Sequence, residues 1–192
     1  MFIPKDFDKA MVGNYMKFQE GQNTIRILRE PITGYVYWED SNGNIVPKNK
    51  MAGEGGKPMR TRDFEEISLE ARSAMKGFAA MIVWNYQMSK IQILEVKQVG
   101  IINSLEALVK SKSWGDVTSF DIIITKTKTG PNPTDVEYSV MPEPKKAMSK
   151  EVKTAFDTTK INLEALYEGE DPFTQGESQG IEVDKIAEDL DA

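Results

Sequence analysis

The chain has 192 residues, with 24 Lys and Arg, 30 Asp and Glu, and neither Cys nor His. This length suits one domain with additional segments. The absence of Cys and His excludes zinc sites built on thiolate or imidazole, and it excludes Ser-His and Cys-His nucleophiles. Carboxylate and lysine chemistry stay open, but no metal-ligand spacing and no catalytic constellation is found. The composition favours a binding protein over an enzyme, with no cofactor and no metal.

The hydropathy of the chain predicts a soluble protein. No stretch reaches the about 18 to 20 consecutive apolar residues that a membrane span needs. The first ten residues lack a basic start followed by an apolar segment, so no secretory signal is expected. We therefore expect a cytoplasmic protein without membrane contact.

The charge is unevenly distributed along the chain. Residues 164–192 hold ten acids and one base, a net charge of −9, which leaves +3 for residues 1–163. In one interpretation the acidic tail competes with nucleic acid for the mildly basic body, or is displayed to partners when nucleic acid binds. A solvated terminus that happens to be acidic is the alternative.

The first predicted element is a long strand over residues 23–39, interrupted at Pro31, in which apolar residues alternate. Residues 48–62 carry no apolar periodicity and predict a loop. Residues 63–76 have apolar side chains at helical spacing and predict a helix, with Asp63 as its N-cap.

The middle of the chain predicts a hairpin, a helix and two more strands. Residues 78–86 and 90–97 are two strand-like runs joined by a short turn. The apolar spacing in residues 99–112 predicts a helix. The next two strands cover residues 120–127 and 136–141, and Asp121 in the first of them is expected to face outward. Two short amphipathic helices are predicted further on, over residues 150–156 and 163–168.

The order of these elements predicts a mainly β protein. Without the insertion 40–77, the order is three strands, a helix and two strands, which fits a five-stranded Greek-key OB-fold barrel with its helix between strands 3 and 4. Another Greek-key barrel or an α+β sandwich also fits. The predicted organisation is an N-terminal extension (1–22), the OB-fold domain with its inserted loop and helix (23–146), a short helical segment (147–168) and a disordered acidic tail (169–192).

Aromatic side chains are the candidates for stacking on unpaired bases, because a sequence-tolerant binder of single strands needs flat surfaces. They are Tyr35, Tyr37, Trp38, Tyr86 and Trp114. Tyr86 at the mouth of the hairpin is expected to be exposed. Trp114 stands in a polar, basic loop, where it either stacks on bases or closes one end of the barrel.

Basic side chains are the candidates for phosphate contacts. The glycine-containing loop 48–62 carries five cations and one acid, and further lysines lie at the ends of predicted strands. The candidate residues are Lys48, Lys50, Lys57, Arg60, Arg62, Lys90, Lys126 and Lys128. A solvated loop, and lysines that protect strand edges from pairing, are the alternative interpretation.

Four segments of the body resemble the single-stranded DNA-binding proteins of tailed bacteriophages, an OB-fold group. They are NYMKFQEGQNTIRIL (14–28), FAAMIVWNYQMSKIQILEVKQVGIINSLEALV (78–109), SWGDVTSFDIIITKT (113–127) and EYSVMPEPKK (137–146). The most specific part is the run from Trp84 to Glu95, followed by a helix and then by W-G-D and F-D-I.

The resemblance implies sequence-tolerant binding of single-stranded DNA during phage DNA replication and recombination, in the cytoplasm of the host. It also implies an acidic tail that recruits replication or recombination proteins. The tail residues concerned are Glu188, Asp189 and Asp191. Weaker binding to duplex DNA and self-association along DNA stay open. So do an RNA-binding OB-fold protein and a phage interaction or scaffold protein without nucleic-acid affinity.

Overall fold

Strands dominate the computed structural model, which describes residues 13–47 and 56–173. The described residues divide into two compact units, 13–33 with 77–156 (the first unit) and 34–47 with 56–76 and 157–173 (the second unit). The strands are β1 Gly21–Ile27, β2 Ile32–Glu39, β3 Lys57–Thr61, β4 Lys76–Asn85, β5 Lys90–Val96, β6 Asp121–Lys128 and β7 Val136–Pro142. The helices are α1 Leu69–Arg72, α2 Val99–Lys110, α3 Lys150–Thr158 and α4 Ala165–Glu168, with 3-10 turns at Phe64–Glu66 and Val117–Ser119.

The first unit contains an open antiparallel sheet with the strand order β5-β4-β1-β6-β7. In the register of its centre, Ile25 of β1 lies opposite Asn85 of β4 on one side and Ile122 of β6 on the other. The β4–β5 hairpin confirms the strands predicted over residues 78–86 and 90–97. Because β1 lies between β4 and β6, strands that are distant in sequence meet at its two edges.

The hydrophobic core lies on one face of this sheet. Side chains in a strand alternate between two faces, so Ile25 and Ile27 of β1 point to the same side as Ile122 and Ile124 of β6. Helix α2 contributes Ile101 and Leu105 to this core and packs against β7. The predicted helix over residues 99–112 is thus confirmed, and its apolar stripe covers the sheet.

An N-terminal segment runs along the outer edge of β5. The Met16 amide donates to the Ile93 carbonyl at 2.8 Å, and the Ile93 amide donates to the Asn14 carbonyl at 2.9 Å, which makes a parallel bridge. Two residues later, the ring of Phe18 lies 5.4 Å from the ring of Tyr138 on β7. The segment therefore contacts both end strands of the sheet and occupies backbone groups that an exposed edge would leave unpaired.

The second unit is built on an antiparallel pair of strands, β2 and β3, in which Tyr37 lies opposite Met59. Helix α4 packs against β3. Helix α1 begins after Ser68, whose hydroxyl accepts from the Ala71 amide at 3.2 Å and so satisfies a free donor of the first turn. In the described ranges, no helix is both long and apolar enough to cross a membrane.

Two predictions in the inserted region were wrong. The loop expected over residues 48–62 contains strand β3 at Lys57–Thr61, and the helix expected over 63–76 is reduced to a 3-10 turn and the four residues of α1. Asp63 makes no side-chain cap. The interruption expected at Pro31 in the strand over 23–39 is confirmed: β1 ends before it and β2 begins after it, because proline cannot donate to a ladder.

Candidate nucleic-acid interface

The carboxylate of Asp121 is buried at the start of β6, with 2% of the residue exposed. Its Oδ1 accepts from Arg26 Nε at 2.6 Å and from the Tyr86 hydroxyl at 2.9 Å. Its Oδ2 lies 2.6 Å from Lys146 Nζ. Asp121 faces away from the core, as expected, and shares that face of the sheet with Arg26. It is nevertheless buried, because three donors surround it.

Arg26 joins this carboxylate to the chain that follows β7. The side chain is 1% exposed. Its Nη1 donates to the Thr118 and Lys146 carbonyls, both at 3.0 Å, and its Nη2 donates to the Lys146 carbonyl at 2.9 Å. Strand register brings the two charges together, since Arg26 lies directly opposite Asp121 in the β1–β6 pair. A buried ion pair is tolerated only when its remaining donors and acceptors are also satisfied, which is the case here.

These contacts shift the pKa values of the groups involved. Burial by itself would raise the pKa of Asp121, but hydrogen bonds from Lys146, Arg26 and Tyr86 outweigh it and lower the pKa. The hydrogen bond to Asp121 and its charge raise the pKa of Lys146. Burial, followed by the hydrogen bond to Asp121, raises the pKa of Tyr86. At neutral pH, two cations and one carboxylate leave the cluster with a net charge of +1.

Tyr86 and Lys146 present this cluster to solvent. Tyr86 is 37% exposed, and the side chain of Lys146 is 59% exposed. The Lys146 ammonium lies 5.9 Å from the centroid of the Tyr86 ring, within the range of a cation–π contact. The hydroxyl of Tyr86 is held while part of its ring stays accessible, so the ring is positioned before any ligand arrives.

The same face continues across β1, β6 and β7. Thr24 lies opposite Ile123, and Ile123 lies opposite Met141, which is 62% exposed. We call Tyr86, Lys146, Thr24, Ile123 and Met141 the outer sheet face. It combines an aromatic ring, an exposed cation and an apolar strip, which are the surfaces that bases and phosphates of an unpaired strand require.

The turn that carries Tyr86 is fixed by Asn85. The Asn85 amide donates to Gln92 Oε1 at 2.8 Å in a buried contact, and its oxygen accepts from the Gln87 amide at 3.1 Å. The Tyr86 amide itself donates to the Thr24 carbonyl at 3.1 Å. The backbone before and after the ring is therefore tied to β5 and β1.

The other predicted stacking residues are less accessible. Tyr35 and Tyr37 are half-buried on β2, where the Tyr35 ring lies 5.8 Å from Phe64. Trp38 is 4% exposed. Trp114 is half-buried, and its ring lies 5.0 Å from Phe120 at the edge of the core. Tyr86 is the residue that matches the expectation of an exposed ring at the hairpin.

The predicted phosphate contacts fall in both units. Lys48 and Lys50 lie outside the described residues, as do Glu188, Asp189 and Asp191 of the tail.

The remaining basic candidates are divided between the two units. In the second unit, Lys57 is exposed and Arg60 is half-buried on β3, with Arg62 just beyond the strand. In the first unit, Lys90 Nζ lies 3.4 Å from the Gly13 carbonyl, and Lys126 and Lys128 lie at the end of β6.

Arg62 already has partners of the kind that a nucleic acid would offer. It forms an ion pair with Glu164, and its guanidinium lies 5.0 Å from the centroid of the Tyr167 ring. Hydrogen bonding to Tyr167, and then the charge of Glu164, raises the pKa of Arg62. A carboxylate and an aromatic ring thus occupy the places that a phosphate and a base would take on this side chain.

Sequence reasoning missed Arg26 and Lys146 as members of the site. The available signal was a charged residue inside an apolar strand, since Arg26 stands between Ile25 and Ile27, and a second such residue, Asp121, inside another strand. Their pairing follows from strand register and not from spacing along the chain. Across residues 13–47 and 56–173, no group of three or more acidic side chains could hold a metal ion.

No protein-family model, no curated protein and no solved structure matches the chain. The candidate site therefore rests on its own geometry.

Proposed function

We propose that this protein binds single-stranded DNA with little sequence preference. The observation that carries the proposal is the outer sheet face, where the exposed ring of Tyr86 lies beside the Lys146 ammonium and a strip of apolar side chains. A base stacked on an aromatic side chain contributes roughly 1 to 3 kcal/mol, whatever its identity. In a duplex the bases already stack on one another, so such a face favours unpaired strands.

The strand order of the first unit supports an OB-type barrel. Strand β1 is flanked by β4 and β6, β5 continues the sheet beyond β4, β7 continues it beyond β6, and α2 lies between β5 and β6 in the chain. An OB fold is a five-stranded, partly open Greek-key barrel. We infer that the opening lies between β5 and β7, where the N-terminal segment contacts both strands.

The resemblance to phage single-stranded DNA-binding proteins supports the biological setting. In that setting the protein protects unpaired DNA during phage replication and recombination in the host cytoplasm, and its acidic tail recruits other replication or recombination proteins. Self-association along the strand and weaker duplex binding belong to the same proposal.

The direct test is a fluorescence-anisotropy titration of labelled dT oligomers, with a duplex and a matched RNA as comparisons. Tyr86→Ala is expected to weaken dT binding by about 5- to 100-fold, the equivalent of one lost stack. Tyr15→Ala is the control, since Tyr15 is 39% exposed but lies on the N-terminal segment. A folded wild-type protein that binds no dT oligomer would contradict the proposal, and equal affinity for RNA would point to an RNA-binding protein.

The electrostatic part has a separate readout. Each phosphate contact adds roughly 0.7 to the negative slope of log K against log salt, so about three to five contacts give a slope near −2 to −3.5. Affinity that does not change with salt would remove phosphate contacts from the proposal.

A further inference from the structure

A pocket of about 480 Å³ lies within the second unit. The apolar part of its lining, here called the apolar wall, includes Trp38 of β2 with Val46 and Pro47. The polar part consists of Glu70, Ser73 and Lys76. A volume of this size is within the range of small-molecule pockets, which are mostly apolar with a few polar groups.

The apolar wall is held in place by its own hydrogen bonds. The Val46 amide donates to the Trp38 carbonyl at 2.9 Å, and the Asp40 amide donates to the Asn44 carbonyl at 2.9 Å. The Asp40 carboxylate accepts from the Asn42 and Asn44 amides at 2.8 and 2.9 Å. These contacts fix the turn, so the wall exists before a ligand binds, and little ordering cost remains for binding.

The polar groups of the pocket select its ligand. Glu70 supplies a carboxylate acceptor and Lys76 an ammonium donor, so the side-chain charges cancel. The Ser73 hydroxyl donates to the Glu70 carbonyl at 2.9 Å, which leaves its oxygen as a further acceptor. A free phosphate or carboxylate gains little from this balance. A flat, neutral heterocycle with donors and acceptors along one edge matches the apolar wall and all three polar groups.

We propose that this pocket receives one unpaired nucleobase of a bound strand, an inference that rests on the proposed function. The base lies against the apolar wall, mainly at Val46 and Pro47, because only 4% of Trp38 is exposed. Its Watson–Crick edge meets Glu70 and Lys76. That edge carries both donors and acceptors in every base, and in a duplex it is already paired. The pocket therefore adds a second reason, independent of Tyr86, for the selection of single strands.

In the test, a larger side chain fills the pocket, and binding affinity is compared between oligomers with and without bases. Ser73→Trp is expected to weaken binding of the full chain to a dT oligomer by about 5- to 100-fold, the range of one lost base contact. Affinity for an abasic oligomer of equal length is expected to stay unchanged, since phosphate contacts remain. Leu69→Trp is the matched control, because Leu69 lies on the same helix, is 81% exposed and does not line the pocket.

The outcomes separate this inference from the proposed function. If the wild type binds dT and Ser73→Trp binds it equally well, the pocket inference is overturned and the proposed function stands. If the wild type binds no strand, both fail. Displacement of dT by free thymidine at micromolar concentration would make the pocket a nucleoside site and overturn the inference. If Ser73→Trp lowers the melting temperature, Ser73→Leu fills the pocket with a smaller side chain. The same loss of affinity for dT is expected from this variant.

Discussion

At the scale of single residues, the position of Asp121 decides both stability and the presentation of Tyr86. We expect Asp121→Asn to lower the free energy of unfolding by about 3 kcal/mol, because it leaves the Arg26 guanidinium buried without its anion. Urea unfolding at neutral pH measures this loss. Glu137→Gln on β7 is the control, since Glu137 is exposed, and it is expected to change stability by less than about 0.5 kcal/mol.

The effect of Asp121 also has a defined pH dependence. Its pKa is lowered in the folded protein, so the ionised form stabilises the fold above the ordinary aspartate pKa of about 3.9. This contribution is lost as the pH falls below that value through the folded pKa. The stability difference between wild type and Asp121→Asn should thus shrink between pH 7 and pH 3. A difference that is constant over this range would argue against an ionised Asp121.

At the scale of elements, the sequence predicts those helices and strands whose formation depends on a local pattern of apolar residues. The β4–β5 hairpin and α2 follow from apolar alternation and helical spacing within the segments themselves. Strand β3 could not be predicted in this way, because its sequence KPMRT contains a proline and two cations and only one large apolar side chain. It forms a strand because β2 pairs with it and α4 packs against it, which are non-local contacts.

Glu164, the residue before helix α4, pairs with Arg62, and we expect this ion pair to weaken nucleic-acid binding. In Glu164→Gln the freed guanidinium should gain one phosphate contact, which makes the salt slope of dT binding steeper by about 0.7. Glu106→Gln on α2 removes a similar exposed ion pair, with Lys110, and should leave the slope unchanged. An unchanged slope in Glu164→Gln would mean that Arg62 does not meet DNA.

At the scale of the whole molecule, charge distribution could be read from the sequence, but the assembly of the site could not. The acidic tail and the basic body are visible in composition. Arg26 and Asp121 are 95 residues apart in the chain, and only strand register brings them together. Lys146 is also distant in the chain: its carbonyl accepts a hydrogen bond from Arg26, which lies 120 residues earlier.

Removal of residues 174–192, which carry six acids and one base, is expected to strengthen dT binding at low salt. Phe173 is the appropriate end point, because the Asn162 amide donates to the Pro172 carbonyl at 2.9 Å and Gly169 closes α4. Anisotropy titrations of both chains should converge as salt screens the tail. Identical affinities at low salt would leave partner recruitment as the role of the tail.

The exposure of Met141 gives the outer sheet face a chemical weakness. Peroxide can reach the thioether of Met141, whereas Met16 and Met81 are buried in the core. Oxidation to the sulfoxide would place a polar, chiral group on the apolar strip beside Ile123. Among the methionines that the structure describes, Met141 is the exposed one. Its oxidation is expected to lower the affinity of a stored sample for single strands while the melting temperature stays the same.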